Sequence, residues 1–392
     1  MKDVFIAAAK RTPIGGFLGK LSVYSATELG AFAIKEAYTS IHLDPSEFDS
    51  VYMGNVLSAN LGQSPARQAA RYALIADHTD CTTVNKVCAA GMKAVILGAQ
   101  QIQLGLEHLV IAGGMESMSQ VPHYAPLRKT TKLGNETLTD GLLKDGLTDA
   151  FHQIHMGNIA ELSVQQYQLT RQQQDEFALR SYERAEAATR LGKFKNEIIP
   201  ITLHDKTGDS ILAEDEDIYK ILPYKVAHLK PTFQKDGTIT PANASNLNDG
   251  AAVLILASAE ALEKYNLKPI AKIISYADAA QAPEAYATSP SVAIPIALQR
   301  ASLTLNDIDY IELNEAYAVV ILANQKILGF DLNKTNVYGG AIAMGHPLGA
   351  SGARILCTLI SVLNQEGGKY GLAAICNGGG GASAMIIENI NL

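Results

Sequence analysis

Strand-length apolar runs recur along this 392-residue chain with hardly a polar residue inside them. "DVFIAAA", "SVYMGNVL", "HLVIAGGME", "AAVLILAS" and "LAAICNGGGGASAMIIEN" are the clearest. A strand that alternates apolar and polar residues has one wet face, whereas a strand without alternation must be covered on both. Segments of helical spacing separate these runs, among them Ala26 to Thr39 and Met92 to Leu104. The pattern predicts an α/β architecture in which helices pack on both faces of a sheet.

The rhythm is interrupted once. From Gln120 to about Thr240 the chain carries polar glycine-containing stretches, a Gln- and Arg-rich helical segment from Ser163 to Arg190, and the acidic "EDEDIYK". A stretch this long without strand–helix alternation reads as an inserted subdomain or a set of long functional loops. The expected division is a first half at 1–119 completed by about 241–268, the insert at 120–240, and a second half at 269–392. Each half holds a cysteine beside glycines and a helix rich in small residues ("CAAGMKAVILGAQ" and "GASGARILCTLI"), which suggests an internal duplication.

Composition excludes several classes of function. At 47% hydrophobic and 18% charged, with a net charge of −7, the chain is an ordinary globular protein without the basic run that nucleic acid demands. Four cysteines (Cys81, Cys88, Cys357, Cys376) are too few and too far apart for a disulfide framework, and no Cys-x-x-Cys pair suggests zinc. The first apolar run is too short for a secretory signal and no 18-residue apolar span follows, so no membrane contact is expected. Reduced thiols and the missing signal together predict a cytoplasmic protein. Neither a P-loop nor a strand-borne G-x-G-x-x-G is present, so the glycine density is not a nucleotide fold.

Four segments carry side chains with chemistry. "NKVCAAGMKAV" (Asn85 to Val95) puts Cys88 at a helix start among small residues, where backbone N–H groups favour a thiolate and a carbonyl can approach. A buried core cysteine is the ordinary alternative. "GGAIAMGHPLGASG" (Gly339 to Gly352) pins His346 in a glycine-rich turn, as a base toward a thiol, an oxyanion donor, or a structural histidine. "CNGGGGASAM" runs Cys376 off a strand end into Gly378 to Gly381, which offers backbone donors or merely a packing turn. In "NEAYAVV", Asn314 could orient a water or cap the following helix, and Glu315 could favour that helix's dipole. His152 and His155 stand at i, i+3 without a third ligand nearby, so no metal site is expected.

These blocks, in this order, resemble the signatures of the thiolases, and "RTPIGGFLG" and "NASNLNDGAA" fit as well. The resemblance spans the whole chain. It implies the thiolase fold, two similar α-β-α-β-α layered halves with an inserted loop domain, in a homodimer or homotetramer. It implies reversible Claisen condensation of two acetyl-CoA to acetoacetyl-CoA and CoA, with no cofactor beyond the coenzyme A thioester substrates. By this match Cys88 is the acyl-accepting nucleophile and His346 its activator. His346 with a water on Asn314 forms one oxyanion hole, and the N–H groups of Cys88 and Gly378 form another. Cys376 is the acid/base for the α-proton. His155 and Met156 match the His-Met-Gly of the short-chain branch, where the methionine crowds the acyl pocket and the histidine faces pantetheine. Ser245 matches a pantetheine contact, Phe233 an aromatic near the coenzyme channel, and Tyr317 a position that is often phenylalanine.

Ala90 departs from the family's usual serine, and Pro241, Ala242 and Asn246 from its Ala, Gly and Gly along the pantetheine loop. A degradative 3-oxoacyl-CoA thiolase of longer chain length is the alternative within the family. Decarboxylating ketoacyl synthases generally carry histidines where Cys376 and Asn314 stand. A thioester-binding protein without turnover is disfavoured by the complete catalytic set.

Overall fold

A computed structural model of the chain describes residues 2–128, 133–205 and 208–391. The first half runs β1 (Val4–Arg11), α1 (Ala26–Thr39), β2 (Ser50–Gly54), β3 (Asp80–Val84), α2 (Ala90–Gln103) and β4 (Leu109–Ser117). An excursion bearing α3 (Met156–Gln166) and α4 (Arg171–Arg190) follows before the chain returns as β5 (Asn248–Ala257). The second half runs β6 (Ala271–Ala280), α5 (Pro290–Ala301), β7 (Tyr310–Leu313), α6 (Ala318–Leu328), α7 (Leu348–Glu366), β8 (Tyr370–Asn377) and β9 (Gly381–Glu388).

The nine strands form one hydrogen-bonded path, β7-β8-β9-β6-β1-β5-β4-β2-β3, and the two-residue strand Gly15–Gly16 pairs with β5 as a tenth. The seam between halves is the antiparallel pairing of Val4 with Ile273 through Ile6 with Ala271. Read outward from that seam, both halves have the same order. The first strand is followed by the last, then the one before it, with antiparallel neighbours, and then a parallel strand. In the first half β3 extends this series, and in the second a bridge between Ile311 and Thr335 stands in its place. The duplication suggested by composition is thus a repeated topology.

Layering follows from where apolar faces go. β4 and β5 are buried at every residue, because helices cover both their faces. α1 packs on the outer face of the first half through Leu29, Ala33, Ile34 and Ala37, and Ser25 caps it with Glu28 in a reciprocal box. α5 covers the outer face of the second half with Ala293, Ile294 and Ala297. Between the halves lie α2 and α7, where Val95, Ile96, Ile355 and Leu359 meet Leu254 and Met385 in one core. α7 is buried at every position from Leu348 to Leu363, and its polar residues Thr358 and Ser361 are satisfied by donating to Glu197.

Glycines let these two helices start almost on top of one another. A Cβ on Gly91 would stand 2.8 Å from the Gly349 carbonyl oxygen, and one on Gly54 would meet the Gly91 amide at 2.5 Å. The helix N-termini, and the turns that enter them, are therefore brought face to face.

Instead of one helix from Ser163 to Arg190 there are α3 and α4, broken where Gln168 turns left-handed (φ 48°) and Thr170 caps α4 in a box with Gln173. Arg11, fully buried, anchors the insert to β1 by a bidentate bond to Asp215 (2.7 and 3.0 Å) and a bond from Nε to Glu197 (2.7 Å). Residues 129–132 and 206–207 of the expected loop domain lie outside the described residues.

Candidate active site

Cys88 follows β3 through a tight turn. Val87 is left-handed (φ 48°), its amide donating to Asn85 Oδ1 at 3.0 Å, and α2 begins two residues after the cysteine. His346 is reached by the equivalent turn of the second half, two residues before α7. Gly345 there has φ 111°, and a Cβ on it would collide with the Asn248 side chain, so glycine is required. Asn248 Oδ1 in turn accepts the His346 amide at 2.9 Å.

The hydrogen bonds assign the imidazole tautomer. Ser351 Oγ donates to the Pro347 carbonyl (2.8 Å), so it accepts from His346 Nδ1–H (2.6 Å). Nε2 is left with its lone pair, and among the described residues Asn314 Nδ2 faces it at 3.5 Å. Burial, aided by the charge of Arg354, pushes the imidazole down to about 3, so it is neutral and able to accept a proton.

Both cysteines are held as thiols. Burial pushes Cys88 up to about 12, while the amides of Gly378 and of Cys88 itself pull the other way. Burial likewise raises Cys376, followed by the charge of Cys88. The helix start, expected to favour a thiolate, is outweighed here by desolvation, so Cys88 needs a base when it reacts.

One cavity of ≈ 330 Å³ collects Cys88, His346, Cys376, Gly378, His155, Met156, Phe233, Ser245 and Tyr317. Asn314 alone of the expected set does not line it, standing fully buried behind His346. It does not cap α6 either, which starts at Ala318 beyond Tyr317. Glu315 does not serve the α6 dipole. It is buried, accepting from Ser181 Oγ, Asn336 Nδ2 and the Ile342 amide. Gly379 and Gly380, at φ 83° and 86°, make the turn between β8 and β9 that aims the Gly378 amide at Cys88.

The remaining wall is an aromatic stack. His155 caps α3, its Nδ1 accepting the Gly157 amide at 3.0 Å, so Nε2–H is the free donor. Its ring lies on Phe233 (4.7 Å, 20°), which meets Tyr317 edge-on at 6.1 Å. Met156 leans on the nucleophile side: a Cβ on Gly378 would be 3.8 Å from its Cε and 3.6 Å from Val87 Cγ1.

Several contributors were missed in the sequence. Glu116, fully buried at the end of β4, accepts from Asn55 Nδ2, the Val56 and Leu57 amides, and the Gly349 amide at 2.9 Å, so it caps the helix that follows His346. Burial pushes this carboxyl up to about 7. Ser351 and Asn248 fix His346. A second cavity of ≈ 480 Å³ adjoins the first through Pro241, Asn246 and Leu247 and carries Lys220 and Lys225. The only sequence signal for Ser351 is its place one turn into α7. Glu116 is marked only by ending a strand of glycines.

Comparison with known proteins decides the family. The model described as "Thiolase, N-terminal domain" matches residues 4–260, and "Thiolase, C-terminal domain" matches 267–389. The chain belongs to the thiolase family. Among this thiolase's relatives, Acetyl-CoA acetyltransferase 1 of Arabidopsis thaliana is 51% identical over 99% of this chain and 94% of its own. The structure is similar to the Acat5 thiolase from Ascaris suum in complex with coenzyme A, with a TM-score of 0.95 at 45% identity, covering 99% of this chain and 100% of that one. It is equally similar to human mitochondrial 3-ketoacyl-CoA thiolase, with a TM-score of 0.96 at 39% identity and 99% of each chain covered. The backbone likeness to both is therefore nearly complete.

Proposed function

We propose that this thiolase is an acetyl-CoA C-acetyltransferase, joining two acetyl-CoA into acetoacetyl-CoA and CoA through an acetyl-cysteine, and running in reverse with CoA as thiol. The observation that carries the reading is the convergence of Cys88, His346, Cys376 and the Gly378 amide on one cavity with Met156 in its wall. The names of its relatives, acetyl-CoA acetyltransferases at about half identity over the full chain, point the same way.

Neutral His346 Nε2 takes the Cys88 proton as sulfur attacks the thioester carbon. The oxyanion is received by the amides of Cys88 and Gly378, and CoA leaves with the proton of Cys376, so that Cys376 becomes a thiolate while His346 keeps the proton on Nε2. A second acetyl-CoA then loses an α-proton to Cys376 as its thiolate, and His346 backed by Asn314 faces the enolate oxygen. The carbanion attacks acetyl-Cys88, the tetrahedral oxygen returns to the same two amides, and expelled Cys88 takes its proton back from His346 Nε2, leaving Cys376 a thiol again. These steps use only side chains, backbone donors and coenzyme A thioesters.

Pantetheine is assigned to the channel between the His155–Phe233 stack and Ser245, and the coenzyme's phosphates to the adjoining cavity with Lys220 and Lys225. Beyond Val87, Met156 and Gly378 lies a further cavity of ≈ 660 Å³, and Met156 forms part of the wall that keeps an acyl chain out of it. The reading extends to a cytoplasmic homo-oligomer. No helix among the described residues is long and apolar enough to cross a membrane, and β3 leaves one edge unpaired.

The deciding assay compares thiolysis of acetoacetyl-CoA with that of 3-oxooctanoyl-CoA, with Cys88→Ser as control. The expected result is a preference for the C4 substrate of about tenfold or more in kcat/KM, near-complete loss in Cys88→Ser, and relief of the preference in Met156→Ala. Equal turnover of both substrates would make this a broad degradative thiolase and end the argument from Met156.

A further inference from the structure

The nucleophile turn is tied across the two halves by charged residues that never reach the cavity. Val87 is a β-branched residue in left-handed conformation (φ 48°), a costly state that persists only where the flanks over-determine it. Two restraints hold it from its N-terminal side, and one is the Asn85 turn. The other is Lys86, whose Nζ donates to Asp278 Oδ1 (2.5 Å), Ser383 Oγ (2.9 Å) and the Ala382 carbonyl (3.2 Å), which uses all three ammonium protons. Asp278 also accepts Ser383 Oγ at 2.6 Å and Lys93 Nζ at 2.7 Å. Two lysines flanking Cys88 in the first half thus converge on one carboxylate of β6 in the second.

The other partners sit where the second oxyanion donor is made. Ala382 pairs with Cys376 across the β8–β9 hairpin, and the turn of that hairpin carries Gly378. Lys86 therefore bonds the cysteine-bearing turn directly to the hairpin that presents Gly378 N–H. Lys86, Lys93 and Asp278 line no part of the active cavity; the two lysines are half-buried and Asp278 is exposed. Ion pairs so placed contribute little to stability, so their consequence is geometric.

We propose that Lys86, held by Asp278 and Ser383, is a positioning residue that sets the separation of Cys88 N–H from Gly378 N–H. This rests on the acyl-transfer reading above, because the two amides matter as a pair only if an oxyanion forms between them. A shift of a fraction of an ångström between such donors weakens them at the moment charge develops.

The test uses the full-length enzyme and the variants Lys86→Met, Asp278→Asn, the double variant and Lys86→Arg. For Lys86→Met, kcat for acetoacetyl-CoA thiolysis is expected to fall about tenfold with KM within about twofold. Asp278→Asn should do the same, the double variant should be no worse than either single, and Lys86→Arg should recover part of the rate. Modification of Cys88 by iodoacetamide, followed by peptide mass, should slow in Lys86→Met, with the melting temperature little changed. Singles within about twofold of the parent in kcat, or losses that multiply in the double, would overturn the proposal. The alkylation arm needs no turnover. If the parent fails to cleave acetoacetyl-CoA the functional reading falls, while unchanged alkylation across the series would sink the positioning role on its own.

Discussion

Glu312 sits fully buried on β7 with neither carboxylate oxygen hydrogen-bonded among the described residues, and Arg354 Nη1 is 3.8 Å away. Burial is the larger influence and pushes its carboxyl up to about 8, although Arg354 draws it down. Unfolded, the group ionises near its ordinary 4.5. Between those values the folded state binds more protons, so stability falls as pH rises. The contribution is fully present below the unfolded value and lost as pH rises through the folded one. Glu312→Gln removes this dependence without changing shape. The melting temperature of the variant minus that of the parent should therefore grow more positive by about 2–4 °C between about pH 5 and about pH 9. A difference that stays flat would show that Glu312 is ionised in the fold throughout. His346 is the opposite case, a base kept neutral by the same desolvation, and there the cost falls on the acid side.

At the scale of elements, the active site depends on how closely α2 and α7 begin. A Cβ on Gly114 of β4 would overlap the Gly349 carbonyl in the first turn of α7 and sit 3.1 Å from Gly91 Cα. Gly114→Ala must push that helix start aside, and His346 moves with it. The expected loss is about 1–3 kcal/mol in denaturant unfolding, with kcat falling in protein that is still folded. Gly329→Ala is the control. Its φ of 75° at the end of α6 imposes a similar penalty of about 1–2 kcal/mol, but nothing lies within 4 Å of the added carbon, so kcat should hold. Equal kcat in both variants would mean that the helix start does not govern the site. Elements of this kind were unequally legible in the sequence. β4 and β5 declared themselves because burial on both faces demands unbroken apolar residues. β3, "DCTTV", is an edge strand with Asp80 and Thr82 facing solvent, and its composition shows no such run. Cys88, His346 and Cys376 were legible because glycines and small residues must surround groups that a substrate approaches. Glu116, Ser351 and Asp278 were not, since each acts through a partner distant in the chain or across a helix turn.

For the molecule as a whole, repetition of one topology explains why a nucleophile and its base meet. Cys88 and His346 each stand two residues before the central helix of their half, and those helices share a single layer. The site thus lies between the halves and depends on both, and so does the core. Val95, Ile96 and Leu254 of the first half are covered by Ile355, Leu359 and Met385 of the second, and the β1–β6 seam extends the sheet between them. Neither half can bury its inner face alone, so a chain cut at the junction tests whether the repeats are domains or parts of one unit. Asn266 is exposed, and the chain there lies between α/β elements rather than within one. Fragments 1–266 and 267–392, expressed separately, should each be insoluble or lack a cooperative melt, because the apolar face of α2 or α7 would be open to water. Expressed together, they should associate and recover thiolysis, with one melting transition rather than two. A first fragment that is soluble and melts cooperatively on its own would show that the central layer is an interface between independent domains.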